Sequence, residues 1–239
     1  MAEVRKFGAA LPGWKVPPRP TGEVLEGDVV RLERMDPDLH AADLFRAYSA
    51  DDMLWDYLPY GPFSAASAYH RWAKDVATGS DPLFYVIRQK SSGHCGGVAS
   101  YLRITPESGS IEVGHINLAP ELHRSRASTE AMFLMMDWAF RSGYRRYEWK
   151  CDALNMPSRR AAQRLGFSYE GVFRQATVYK GRNRDTAWFA IIDKEWPAMR
   201  EAYGAWLSPR NFAESGKQKE SLSDLTCLVR PGSDPLLGQ

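Results

Sequence analysis

Apolar positions along the chain switch between a period of two and a period near 3.6, and the switches mark the elements. GDVVRLER, residues 27–34, alternates and predicts a first strand. In PDLHAADLFRAYSA, residues 37–50, Leu39, Ala42, Leu44, Phe45 and Tyr48 recur at helical spacing. A second helix is predicted over 65–78, with Tyr69, Trp72 and Val76 on one side. Between the two lies WDYLPYGPF, residues 55–63, a loop broken by Pro59, Gly61 and Pro62.

Three strands follow: LFYVIRQ (83–89), GGVASYLRI (96–104) and IEVGHINL (111–118). The turns between them, KSSGH and PESGS, are short, so the three form an antiparallel meander that Pro120 ends. An apolar run predicts a long helix over 128–141, and RYEWKCD (146–152) a strand after it. PSRRAAQRL (157–165) is a short helix that starts on Pro157 and stops at Gly166. FSYEGVFR (167–174) is a strand, VYKGRNRDTAWFAIID (178–193) a hairpin turning at Gly181 to Asn183, and 195–207 a last helix. Early strands are joined by hairpins and later ones by helices. That order gives an α/β (α+β) layer design, a mixed sheet with helices packed on it, and no internal repeat. Residues 1–24, with Pro12, Pro17, Pro18 and Pro20, predict an extended arm pinned by Trp14. Residues 25–207 form the folded domain, and 208–239 a polar, partly irregular tail.

Composition narrows the function classes. Hydrophobic residues make up 44% of the 239, enough for a real core. The 31 basic and 29 acidic residues leave +2, which argues against a nucleic-acid binder despite the basic runs RSR, SRR and KGRNR. No apolar run is long enough to span a membrane, and the N-terminus lacks a signal-peptide core. Cys95, Cys151 and Cys227 are far apart and odd in number, which suits reduced thiols in the cytoplasm. No CxxC or HExxH spacing suggests a metal.

One stretch carries candidate chemistry: LHRSRASTEAMFLMMDWAF, residues 122–140. Free backbone N–H groups and the dipole at a helix start attract anions. Here Arg124 and Arg126 add charge-assisted donors, and Ser125, Ser128 and Thr129 add hydroxyls. The stretch therefore suits a diphosphate. An alternative is that Ser125 or Ser128 caps the helix and the arginines are solvated.

With this order of elements, the sequence resembles the GNAT family of acetyl-CoA-dependent N-acetyltransferases, and within it the RimJ/RimL branch. IEVGHINLAPEL followed by STEAMFLMM is similar to the family's fourth strand and third helix. ALNMPSRRAAQRLGFSYEGVFRQ, residues 153–175, resembles the branch's N-x-x-S-x-R-x-x-x-x-x-GF-x-x-EG segment, and VYKGRNRDTAWFAIIDKEWP fits its closing hairpin. The match covers about residues 25–200. The family's Q/R-x-x-G-x-G/A turn aligns His123 with its first position, Arg126 with the first glycine and Ser128 with the last small residue. Arg126 is thus a departure.

The resemblance implies a central twisted sheet of about seven strands with helices on both faces, and acetyl-CoA as co-substrate. It implies that backbone groups of Ile116, Asn117 and Leu118 hold the pantetheine arm, and that the turn His123, Arg124, Ser125, Arg126, Ala127, Ser128 and Thr129 holds the pyrophosphate. Asn155 would bond the pantetheine and Ser158 would give a proton to the CoA sulfur. Both also suit a helix start as caps. Arg159 and Arg160 reach phosphates or are solvated.

For the base, Glu112 leads, acting through water or raised by burial. Regular alternation would put Glu112, Gly114, Ile116 and Leu118 on one face, and Val113, His115 and Asn117 on the other. His115 is then a rival base from the opposite face, and Glu170 a third option. Trp55, Tyr57, Tyr60 and Phe63, with Tyr85 and Tyr179, either wall an acceptor pocket or pack a core. A pocket of rings favours an uncharged, partly apolar amine. The acceptor would be a small metabolite, an amino acid or a peptide N-terminus, attacked directly because no cysteine is placed as a carrier. The alternatives are a protein of this fold that binds acyl-CoA without catalysis or runs a CoA-independent reaction, and an RNA-binding module. A homodimer is common in such families, with the tail as an exchange element.

Overall fold

The computed structural model describes residues 6–238; residues 1–5 of the expected arm and Gln239 lie outside them. The strands are β1 (Leu25–Glu26), β2 (Val30–Arg34), β3 (Leu83–Gln89), β4 (Cys95–Thr105), β5 (Ser110–Leu118), β6 (Arg146–Asp152), β7 (Ser168–Tyr179) and β8 (Arg182–Ile192). They form one sheet in the order β1-β2-β3-β4-β5-β6-β8-β7. Every pair is antiparallel except β5 with β6. Helices α1 (Pro37–Tyr48) and α2 (Ala66–Ala77) cover one face. Helices α3 (Arg126–Arg141), α4 (Met156–Arg164), α5 (Trp196–Leu207) and α6 (Leu222–Cys227) build the other side. The expected layers are present.

Several boundaries move for identifiable reasons. The expected first strand is split, because the buried carboxylate of Glu130 on α3 accepts the N–H groups of Asp28, Val29 and Val30 and folds them into a turn. Helix α3 begins two residues before the expected start, where Ser125 caps it. β7 runs on to Tyr179, and its hairpin turns at Lys180 and Gly181 instead of Gly181 to Asn183. Both residues take left-handed φ, 47° and 71°, as a two-residue turn between twisted strands requires.

β5 departs most from expectation. Ser100 pairs with Gly114 and Val98 with Asn117, so Ala99 alone faces two residues, His115 and Ile116. This is a β-bulge, with His115 at φ 50°. The surplus residue breaks the alternation. Ile111, Val113, Ile116 and Leu118 pack on the α3 face. Glu112, Gly114, His115 and Asn117 share the face that α1 and α2 partly cover. Glu112 and His115 are therefore on the same face, not opposite ones. Beyond the bulge the parallel ladder ends: β5 pairs with β6 only from Ser110 to Val113, while β6 stays with β8 to Asp152. The two strands part into a wedge.

Of the described arm, residues 6–24 form no helix or strand, but Pro17 and Pro20 are buried. Tyr144 donates to the Pro18 carbonyl at 3.0 Å and Arg19 to Ile104 at 3.0 Å. The tail folds onto its own chain through α6, with Leu222 and Thr226 buried. Tyr169 of β7 donates to the Gly232 carbonyl at 3.3 Å. Arg159 is neither solvated nor free for phosphate. It is 1% exposed and bonds both carboxylate oxygens of buried Asp234 at 2.6 Å.

Candidate active site

The wedge opens beside the turn that follows β5. A single 3-10 turn, Pro120–Leu122, leads to Arg124, whose φ is 54°. This, and not Arg126, is where the backbone adopts the conformation that suits glycine. Ser125 then caps α3: its Oγ accepts the Ser128 N–H at 3.0 Å. Among the described residues, the amides of Arg124, Arg126 and Ala127 donate to no protein group. They are the free donors of a helix N-terminus.

The side chains of the turn are more committed than the sequence implies. Ser128 and Thr129 are buried, and their hydroxyls donate to the Ser125 carbonyl, both at 3.1 Å. Arg164 donates to the Thr129 hydroxyl at 3.1 Å. Arg126 turns away to the end of α5, donating to Leu207 at 2.7 Å and lying 5.2 Å from the Phe212 ring. Arg124 is exposed. His123 Nε2 meets the Leu118 carbonyl at 2.9 Å, and Tyr48 donates to the Asn117 carbonyl at 3.0 Å. The Asn117 amide nitrogen is buried without a partner among the described residues.

Across the wedge, Asn155 caps α4: its Oδ1 accepts the Ser158 N–H at 3.1 Å. The capping alternative thus describes Asn155, while Ser158, a turn further in, is half-buried with its Oγ accepting from the Trp149 indole at 3.1 Å. Burial pushes the neighbouring Cys151 thiol up to about 11.

Glu112 is 2% exposed and set between two cations. Arg103 reaches Oε1 at 2.7 Å and Lys150 reaches Oε2 at 2.9 Å. Burial pushes the carboxyl above the usual glutamate range, against the pull of Lys150 and Arg103. Lys150 also contacts Glu148 at 2.7 Å and lies 3.7 Å from the centre of the Trp188 ring. Glu170, the third candidate base, is paired with Arg146, which also bonds Glu148 at 2.6 Å, so it stands at the far end of this row of charges from Glu112.

His115 stacks on Tyr60, with centroids 5.7 Å apart and planes 15° apart, and its Nδ1 meets the Tyr60 hydroxyl at 3.1 Å. Phe84 lies 5.2 Å from the imidazole. Burial, with Arg103 and Arg184 nearby, pushes His115 down to about 4, so the ring is neutral at pH 7. The aromatic loop divides between the two expected roles. Trp55 is buried and packs edge-on against Phe63 at 5.2 Å and Tyr48 at 5.3 Å, as core. Tyr57 and Tyr60 are only half-buried. Tyr57 donates to the Leu154 carbonyl at 3.3 Å, and Tyr179 to Asp152 at 2.9 Å. Lys180 at the hairpin tip donates to the Trp55 carbonyl at 2.7 Å. Loop, hairpin and the turn before α4 therefore meet at the wedge. Tyr85 does not join them. It is fully buried on the opposite face of the sheet, edge-on to Tyr101. Strand alternation carried that signal, since Phe84 and Val86 face α1 and α2. Lys150, Arg103 and Arg184 were missed, because only the fold brings them to this face.

A family model described as an acetyltransferase (GNAT) domain matches residues 30–168. The chain belongs to the GNAT acetyltransferase family. A GCN5-related N-acetyltransferase from Brucella melitensis is 43% identical, with a TM-score of 0.89 over 91% of this chain and 100% of that one. A probable GNAT-family acetyltransferase from Chromobacterium violaceum is 40% identical, with a TM-score of 0.77 over 83% of this chain and 100% of that one. An uncharacterized N-acetyltransferase, p20, from Bacillus licheniformis is 25% identical over 73% of this chain and 98% of its own length. A RimL ribosomal L7/L12 α-N-protein acetyltransferase shares the fold at a TM-score of 0.61 and 20% identity, covering 74% of this chain and 99% of that one. The chain is an N-acetyltransferase of a family that uses acetyl-CoA as co-substrate. Among the described residues, no helix is long and apolar enough to cross a membrane.

Proposed function

We propose that this GNAT enzyme transfers an acetyl group from acetyl-CoA to a primary amine by direct attack in a ternary complex. One juxtaposition carries the reading: the wedge opened by the β5 bulge meets the unbonded amides of Arg124, Arg126 and Ala127. A strand edge and a helix N-terminus suit an amide-bearing arm and a diphosphate, respectively.

Acetyl-CoA supplies a thioester open to attack by nitrogen. Glu112 takes the amine proton through a water. Backbone N–H groups within 116–118 donate to the carbonyl oxygen as it gains charge, an effect of about 3 kcal/mol where such donors have been removed. Ser158 protonates the departing thiolate. The Trp149 indole donates to its Oγ, and the hydroxyl proton, within reach of the Cys151 sulfur, turns from it to the departing sulfur. Cys151, buried and held as a thiol, takes no acyl group. The separate, unpaired thiols suit a reducing cytoplasm.

Acetyl-CoA is expected to raise the melting temperature by about 5–10 °C at a hundredfold excess over Kd. No rise with CoA, acetyl-CoA or longer acyl-CoAs refutes the transferase reading. Arginine at positions 124 and 126 favours a second reading, acyl-CoA binding without turnover; a shift with no thiol release from any amine supports it. Ser158→Ala is expected to lower kcat about tenfold or more while keeping the acetyl-CoA shift. An unchanged kcat removes Ser158 from the mechanism.

A further inference from the structure

The cluster at the wedge contains a cation that the transfer chemistry does not use. Arg184, on β8, shares a face of that strand with Trp188 and lies 5.7 Å from the centre of the Tyr179 ring. Its Nε is buried and finds no hydrogen-bond partner among the described residues. The two cations beside Glu112 are neutralised, and Lys180 at the hairpin tip is spent on the Trp55 carbonyl. Arg103 is paired with Glu112, and Lys150 with both Glu112 and Glu148. Arg184 forms no ion pair among the described residues.

The nearby carboxylates are engaged elsewhere. Asp152 accepts from the Tyr179 hydroxyl at 2.9 Å and from the Leu154 N–H at 2.8 Å. Asp185 accepts from the Gln175 N–H at 2.7 Å and from Asn183 at 3.0 Å. A half-buried guanidinium with an unused donor is costly unless something binds it. It lies against the Tyr179 ring and close enough to His115 to help hold that imidazole neutral, two of the residues expected to face the acceptor.

We propose that Arg184 binds a carboxylate of the acetyl acceptor, so that the enzyme takes small amines that carry an acid group beside an apolar or aromatic body. This rests on the transferase reading and replaces the uncharged acceptor that the sequence suggests with one carrying an acid. The guanidinium fork fits a carboxylate with two parallel bonds. The rings of Tyr60 and Tyr179 flank the rest of the molecule. The neutral imidazole of His115 adds no charge that would repel an amine.

The test separates the two readings. Each of the common α-amino acids and its carboxamide is titrated calorimetrically into the protein, with and without CoA. At least one acid is expected to bind about tenfold or more tightly than its amide, the range that a charged hydrogen bond supplies. Arg184→Met should remove that advantage and leave the amide within about twofold, while Arg184→Lys restores part of it. If no acid outbinds its amide, or if Arg184→Met weakens acid and amide alike, the proposal is overturned. In this reading acetyl-CoA is held at the turn before α3 and not by Arg184. A thermal shift with acetyl-CoA but no preference for acids therefore defeats this inference alone, whereas a missing shift defeats the transferase reading.

Discussion

Glu112→Gln is expected to lower kcat by about a hundredfold or more, within the span that a positioned base contributes. The carboxylate lies on the bulged strand at the wedge, on the same face as His115. Its environment sets the pH dependence. Burial raises its pKa above the ordinary glutamate value, while Lys150 and then Arg103 hold it down. The base must be ionised to work, so kcat/KM should fall as the pH drops through that raised pKa. Glu112→Gln should lose this acid limb along with the turnover. Lys150→Met removes a cation beside the carboxylate, so the limb should move to higher pH. A purely structural role would lower stability in all these variants without moving the limb. If Glu112→Gln keeps most of its turnover, the proton leaves by another route and His115 becomes the group to test.

Breaking the pair between Arg159 and Asp234 is expected to cost about 3–5 kcal/mol, because either single change leaves a buried charge alone. For a chain of this size that is a fall of about 6–20 °C in Tm. Both residues are almost wholly buried, and the guanidinium uses Nε and Nη2 on the two carboxylate oxygens and Nη1 on the Ala153 carbonyl at 2.8 Å. Arg159→Met and Asp234→Asn should each melt early, and the double change Arg159→Met with Asp234→Leu should regain part of the loss. The damage should reach the chemistry, because Arg159 follows Ser158 directly in the first turn of α4. Single variants that melt within about 2 °C of the parent would show that the pair contributes little beyond its own desolvation cost.

The order of elements along the chain, the mixed sheet with helices on both faces and the acetyltransferase family were all legible in the sequence, because they depend on periodicity and on segments such as ALNMPSRRAAQRLGF. The two faces of β5 were not. Alternation assumes one residue per pleat, and nothing in IEVGHINL announces the extra one at His115 and Ile116. The same limit hid Tyr85, whose ring belongs to the opposite core, and Arg159, whose partner lies 75 residues away. Glu112 was picked out by residue type and strand position, but its two cations come from β4 and β6 and needed the fold to be seen. The turn at 123–129 shows the converse. Its hydroxyls looked like ligand donors and are spent on their own backbone, while the donors left over are main-chain amides that any sequence has.

The surplus residue in β5 also limits how this stretch can vary. A side chain at 114–118 can be exchanged singly, but losing or gaining one position there would turn every later residue of the strand over and close or skew the wedge. Divergence in acceptor preference among relatives of equal strand length is therefore expected to come from substitutions on the loop and hairpin, with length changes confined to the turns outside it.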